Sequence, residues 1–413
     1  MEIGEISKMT NLLIKLFVKE FKNSQDTDSP IVRKKFGMLS GIVGIICNTV
    51  LFAAKLFVGI ITASIAVSAD AFNNLADAGS SIVTLACFKI AGTPADKEHP
   101  FGHGRVEYIA SLILSVAILI TGLGFVKSSI EKIILPEPIA FNQISIIILI
   151  LSLMLKLWMG LFNKKLSNIV NSYAMKAASL DSLADVAATA SVLLSILVSR
   201  LTGLCIDGYA GLIVAAFILF TGVEIIKESL GPLMGQAPDP KLINEIDKIV
   251  SAHKEIVGVH NLMIHNYGPK QMIVSFHAEM PAEIDILKLH DILDSVEKEL
   301  WVNLSCQTII HMDPIVTDDK NLNDMREKIS DIVKNFHPLA QIYDLRLIPN
   351  SKKPTLIFGL SAPFDLQQSD SQIIDLLQDK LKSLDNSYKY IITINRVTLE
   401  TANLTESHKE NES

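Results

Sequence analysis

The chain has 413 residues, 49% hydrophobic and 20% charged, with a formal net charge of −7 and mean hydropathy of +0.37. The acidic balance gives no electrostatic reason to expect nucleic acid, and apolar runs of about 20 residues mark a membrane protein. Four scattered cysteines (Cys47, Cys87, Cys205, Cys306) without a Cys-x-x-Cys pair argue against a disulfide framework and a thiolate zinc site.

Residues 1–25 mix Ile, Leu and Phe with Lys and Glu and show no signal-peptide pattern. Ile6, Met9, Leu13, Leu16 and Phe17 suit the apolar face of an interfacial helix; a frayed cytoplasmic tail is the equal alternative. Six spanning segments follow at about 38–60, 66–91, 107–129, 141–163, 172–199 and 207–228, each near or above the length that crosses the hydrocarbon. Cys47 and Cys87 read as apolar core residues of these helices. Basic residues collect in alternate connections: Arg33, Lys34 and Lys35, then Lys97 and Arg105, then Lys164, Lys165 and Lys176, then Lys227. The positive-inside rule places both termini in the cytoplasm, although Lys132 in the loop 130–140 is offset by Glu131 and Glu137.

Beyond Met234 the chain turns polar. Helix Pro240–Ala252, strands Val257–His265 and Gln271–Met280 around the turn at 266–269, helix Ala282–Leu300 and strand Ser305–Met312 form an α-β-β-α-β order. That order predicts a small α+β unit of ferredoxin-like type. Helix 321–335, strands 341–348 and 355–360, helix 369–384 and strand 388–397 repeat it. The expected fold is therefore an α-helical membrane protein of six transmembrane helices followed by α+β ferredoxin-like cytoplasmic domains. The expected parts are an N-terminal cytoplasmic tail (1–32), a six-helix transmembrane domain (33–232), a first ferredoxin-like domain (233–316), a degenerate second ferredoxin-like domain (317–400) and a disordered tail (401–413).

The chemistry begins in the second apolar segment. Asp70, Asn73 and Asp77 are spaced to share one helix face. Lipid cannot satisfy that face, and one aspartate at mid-membrane depth costs about 2.5–3.5 kcal/mol. Asp181 and Asp185 repeat the pattern in the fifth segment. Asn73, Asp77, Asp181 and Asp185 together offer an all-oxygen donor set, suited to Mn²⁺, Fe²⁺ or Mg²⁺ more than Zn²⁺. The alternative is that these aspartates pair with buried cations such as Lys55 or Lys156, or cap helix kinks. Asp70 stands apart, as an exit-side or proton-carrying group or as a partner of Lys55.

In the loop after the second segment, Asp96, His99 and His103 can converge on one divalent ion, with Gly102 and Gly104 giving the backbone room; a merely solvated loop is the alternative. Farther on, His311 and Asp313 face the same side of a strand, whereas His253, His265, His337 and His408 show no partner pattern. No GxGxxG, P-loop or nucleophile elbow is present, so neither ATP-driven transport nor an enzyme is supported.

Taken together, the run from Ala69 to Glu107, with Asp77-Ala-Gly-Ser-Ser81 and Phe101-Gly-His-Gly-Arg-Val-Glu107, resembles the cation diffusion facilitator family of divalent-metal/proton antiporters. The likeness extends from about Arg33 to Pro314. It implies a transport site at Asn73, Asp77, Asp181 and Asp185 and a loop site at Asp96, His99 and His103. It further implies cytoplasmic zinc positions at His260, His277, His290, His311 and Asp313. Zinc members carry His-x-x-x-Asp on the fifth helix and Asp-x-x-x-Asp on the second; Asp181-x-x-x-Asp185 and Asn73-x-x-x-Asp77 instead look like the manganese-exporting branch. The missing histidine removes a nitrogen ligand and the group that titrates nearest neutral pH.

The resemblance implies a homodimer in the plasma (inner) membrane that exports divalent metal, Mn²⁺ first, in exchange for protons, with Zn²⁺ or Mn²⁺ at the cytoplasmic sites. Zinc, iron or cobalt export is the variant within the family. A metal-gated channel or a membrane-bound metal sensor is the alternative from another class. The second repeat keeps none of the histidine positions and is expected to dimerise or regulate.

Overall fold

A computed structural model describes residues 3–18, 30–62, 65–135, 143–202, 204, 206–269, 271–349 and 353–398. Cys205, the tail at 401–413 and parts of the loops at 61–65 and 130–140 lie outside the described residues. The chain forms two compact units, residues 1–235 with 267–270, and residues 236–413 without those four.

The first unit is helical: α1 (Ile3–Phe17), α2 (Pro30–Ile61), α3 (Ile65–Ala91), α4 (Val106–Ile134), α5 (Gln143–Val170), α6 (Tyr173–Thr202) and α7 (Asp207–Met234). Spans within α2, α4, α5, α6 and α7 are long and apolar enough to cross a membrane. At 27 residues α3 matches them in length, and its aspartates and asparagines explain its lower hydropathy. Several helices outrun the apolar segments seen in sequence. The start of α2 at Pro30 suits proline's fixed φ and missing N–H at a helix N-terminus. At the other end of the unit, α7 stops at Gly235, whose φ of 80° is the left-handed cap that glycine adopts without penalty.

Helix packing pairs α2 with α3, α4 with α7 and α5 with α6. The α2–α3 contact is set by Gly37, Gly41 and Gly44. A Cβ at these positions would run into Phe88, Leu85 and Ser81 of α3, so small residues let two backbones approach where apolar burial alone gives no driving force. A core of Val32, Phe36, Leu39, Phe88, Trp158, Phe162 and Leu166 joins α2, α3 and α5, with Cys47 and Cys87 packed against it.

The N-terminal segment is a helix with one buried row and one exposed apolar row. Thr10, Ile14 and Val18 are buried, and Ile14 and Val18 join that core with Leu13 packed beside them. Met9, Leu16 and Phe17 are exposed. The i, i+4, i+8 row of Thr10, Ile14 and Val18 is buried in the protein, while Met9, Leu16 and Phe17 of the interfacial stripe stay on its outside.

The second unit contains two repeats of one order: α8 (Pro240–Val250), β1 (Gly258–Asn266), β2 (Met272–Pro281), α9 (Ile286–Leu304), β3 (Cys306–Ile315), then α10 (Lys320–Phe336), β4 (Gln341–Ile348), β5 (Thr355–Pro363), α11 (Asp370–Leu384) and β6 (Lys389–Val397). Each repeat holds a three-stranded mixed sheet in which the first pair is antiparallel and the second parallel. Asp239, Asp285, Asp319 and Ser369 cap the four helices through side-chain oxygens, as N-cap residues do. In the first repeat Val274, Phe276, Ala278 and Met280 face a core with Leu289, Leu293 and Val296 of α9. Strand alternation then turns Ser275, His277 and Glu279 to the opposite face.

Candidate metal centres

The intramembrane carboxylates come from α3 and α6 and meet through a residue of α5. Lys156 is buried, and its Nζ donates to Asp77 Oδ2 and Asp185 Oδ2, each at 2.6 Å. Asp181, one turn before Asp185, lies within electrostatic range of Asp77, Asp185 and Lys156. The structure therefore brings Asp77, Asp181 and Asp185 around one cation, and that cation is the ammonium admitted in the sequence as the alternative partner. Asn73 is exposed. Its neighbour Asn74 is buried; its amide donates to the Asp70 carbonyl at 3.0 Å, and its Oδ1 has no hydrogen-bond partner among the described residues.

Asp70 is the partner of Lys55, Oδ2 to Nζ 2.8 Å, and Lys55 is buried at 3% exposure. This is the structural reading of Asp70. A further buried pair escaped the sequence reading. Arg33 of α2 makes a two-pronged contact with Glu107 of α4, Nε to Oε2 2.8 Å and Nη2 to Oε1 2.7 Å. The same guanidinium donates to the Val170 carbonyl at the end of α5. Such a fork matches carboxylate geometry and ties three helix ends together; a lone acid opening an apolar helix was the available signal.

The loop between α3 and α4 gathers its three candidates. Asp96 Oδ1 accepts from the backbone N–H groups of Glu98 and His99, at 3.0 and 2.7 Å, and those donors, His99 first, lower the pKa of its carboxyl. Asp96 Oδ2 is 3.5 Å from His103 Nε2 and Asp96 Oδ1 3.6 Å from His99 Nδ1. The three ligand atoms lie within 4.8 Å of one another. Gly102, at φ 79°, permits the turn that brings His103 back.

In the first sheet the register places His260, His277 and His311 side by side on β1, β2 and β3. Asp313 lies two residues beyond His311 on the same face. Its Oδ2 is 3.0 Å from His260 Nε2 and 2.9 Å from His277 Nδ1, and its Oδ1 is 3.3 Å from His311 Nε2. Burial acts to raise the Asp313 carboxyl, but His260 and His277 outweigh it and hold its pKa at about 2. His260, Asp313 and His277 converge closely enough to hold one ion. His311 stands at their edge, 66% of its side chain exposed. His290 is exposed on α9, where its charge acts on Asp294, and it is not drawn into the cluster. His260 Nδ1 has no hydrogen bond among the described residues, and its Nε2 faces Asp313 Oδ2 at 3.0 Å. Two imidazoles and a carboxylate converging in this way fit a divalent metal of the zinc type.

Five helices long and apolar enough to cross a membrane, with acidic side chains of two long helices closing on one buried lysine, mark an integral membrane protein. Residues 41–234 match the cation efflux transmembrane domain and residues 238–315 the cytoplasmic domain of cation efflux proteins. An uncharacterized transporter of Methanocaldococcus jannaschii is 30% identical over 63% of this chain and 91% of its own length. The cation-efflux pump FieF of Klebsiella pneumoniae is 27% identical over 64% of this chain and 88% of its own. The manganese efflux system protein MneP of Bacillus subtilis is 25% identical over 68% of this chain and 97% of its own. The chain belongs to the cation efflux family, also called cation diffusion facilitators, a family of membrane transporters.

Proposed function

We propose that this protein exports divalent metal, Mn²⁺ in the first place, from the cytoplasm across the plasma membrane in exchange for protons, as a homodimer with both termini inside. Asn73, Asp77, Asp181 and Asp185 bind the ion, and the helices alternate access around them. The observation that carries this reading is the convergence of Asp77 and Asp185 on the single ammonium of Lys156, 2.6 Å from each. Three carboxylates and one ammonium leave a formal charge of minus two, which one divalent ion neutralises. An ion that takes Asp77 and Asp185 displaces the lysine, so Lys156 serves as a tethered cation that keeps the unloaded carboxylates together. The hard oxygen donors and the manganese named for MneP both favour Mn²⁺ over Zn²⁺.

Asp96, His99 and His103 form a second metal site, and His260, His277 and Asp313, with His311 at their edge, a third; neither is on the transport route proposed here. The test is Mn²⁺ uptake into inverted vesicles carrying wild type, Asp77→Ala or Asp181→Ala. Loss of saturable, proton-gradient-dependent flux in both variants is expected. Undiminished flux in either removes that residue from the ligand set, and flux that ignores the gradient overturns antiport.

A further inference from the structure

The second repeat lies beyond the residues matched by the family domains, which end at 315, and it has no evident chemistry of its own. Strand register shows what became of it. In the first sheet His260 pairs with His277, and His277 with His311; in the second, Tyr343 pairs with Gly359, and Gly359 with Thr393. Asp313 corresponds in the same way to Asn395. Both β1 and β4 break register directly after His260 and Tyr343. The next residue is left-handed in each, Asn261 at φ 56° and Asp344 at φ 51°, a conformation that Asn and Asp tolerate best after glycine. The second repeat is a copy of the first with all four ligand positions replaced.

The copies meet through these same positions. Tyr343 stacks on His260, with ring centroids 4.0 Å apart and planes at 23°. The Asn395 amide donates to the Asn261 side chain, and the reciprocal residues, Asp313 and Asp344, lie close enough for the charge of one to act on the other. The Asp344 N–H donates to Glu279. Contacts in which position i of one copy meets position j of the other, and j meets i, are the mark of a two-fold interface. Gly359 completes the fit: a Cβ there would lie 2.1 Å from the Tyr343 ring. The absent side chain leaves the ring free to lie across β5 and face His260.

We propose that the second repeat is a built-in partner that closes the face of the His260–His277–Asp313 cluster within one chain, and that metal binding and docking of the repeats reinforce each other. This rests on the reading of that cluster as a metal site. Tyr343 is a positioning residue: it fixes the His260 ring while the two carry no bond to a common ligand. A ligand that binds only the docked arrangement stabilises it by mass action. The face that bears the cluster is thereby filled without a second chain.

The test is hydrogen exchange on the full chain in detergent, without metal and with Mn²⁺ or Zn²⁺ added, beside calorimetric titration of the same metals. Metal is expected to slow exchange in β1–β3 and also in β4 and β6, which hold no ligand. Tyr343→Ala is expected to weaken binding roughly two- to tenfold, the range of an aromatic stacking pair, and to uncouple β4 and β6 from metal, whereas Tyr343→Phe retains both. Asn395→Lys, which sets a charge in the docking face outside the core, supplies the same test should Tyr343→Ala fail to fold. Protection confined to β1–β3 in wild type overturns the coupling and leaves the metal site standing. Absence of a response in every strand, unchanged by Asp313→Ala, overturns the metal site and the coupling with it.

Discussion

Lys156 and Asp185 stand 2.6 Å apart between neighbouring helices, with only 4% of the lysine side chain exposed. Taking one partner from a buried pair leaves an uncompensated charge and costs about 3–5 kcal/mol. Lys156→Met keeps the length of the side chain and removes the charge, so the metal-free protein should melt earlier. Added Mn²⁺ should then stabilise the variant more than wild type, because no tethered cation competes for Asp77 and Asp185. Thermal unfolding in detergent across a Mn²⁺ series measures both effects; an equal or smaller Mn²⁺ shift in the variant would show that the lysine and the ion do not compete.

Asp181→His introduces a nitrogen donor beside Asp77 and Asp185. Borderline-soft Zn²⁺ gains more from it than Mn²⁺ does, so the ratio of Zn²⁺ to Mn²⁺ transport should rise. A competition assay across Mn²⁺, Fe²⁺, Zn²⁺, Co²⁺ and Cd²⁺ reads the change. An unaltered profile would mean that the groups orienting the ligands, rather than the ligands themselves, set the preference.

Arg33 and Glu107 are both largely buried, at 13% and 4% side-chain exposure. Arg33→Met strands the carboxylate and should destabilise the helical unit by about 3–5 kcal/mol. Adding Glu107→Leu should restore most of that loss, since an apolar pair leaves no unpaired charge. Melting temperatures of the single and double variants decide the point, and a double variant no better than Arg33→Met would contradict it.

Glu283 links the loop after β2 to the start of the second repeat. Its Oε1 accepts from Thr317 N–H at 2.8 Å and Asp318 N–H at 3.3 Å, and its Oε2 from the Thr317 hydroxyl at 3.0 Å. The Thr317 backbone donor is the largest cause that lowers its pKa from 4.5 to about 2. A depressed carboxylate contributes stability above its unfolded value and loses it as pH falls through the folded one. The link should therefore loosen between about pH 4.5 and 2, and Glu283→Gln should be loose at every pH. Exchange rates of the Thr317 and Asp318 amides measure this; rates in the variant equal to wild type at neutral pH would exclude the link.

Spanning helices and the α-β-β-α-β order were legible because each rests on local pattern: run length, alternation and capping residues. Asp77, Asp181 and Asp185 were legible for a related reason, since polar side chains within apolar runs need a partner. Lys156 was legible only as one of two buried cations able to pair with them, because it lies on a third helix and nothing in a one-dimensional spacing says that α5 brings its side chain to Asp77 and Asp185. On α1 the apolar stripe was legible but the buried row was not, because packing against α2 and α5 selects Thr10, Ile14 and Val18 by tertiary contact and not by apolar spacing. His290 shows the converse. It was assigned through resemblance, and on α9 it points to solvent while His260, His277 and Asp313 come together by strand register.

The glycines of α2 carry a mechanical consequence. With Phe88, Leu85 and Ser81 seated against Gly37, Gly41 and Gly44, backbone is locked to side chain along three successive steps, and sliding by one residue would drive Phe88 into bulkier neighbours. Helices α2 and α3 are thereby a single lever. A rigid-body shift of α3 therefore carries α2 along with it, and a hinge in this unit falls outside the pair.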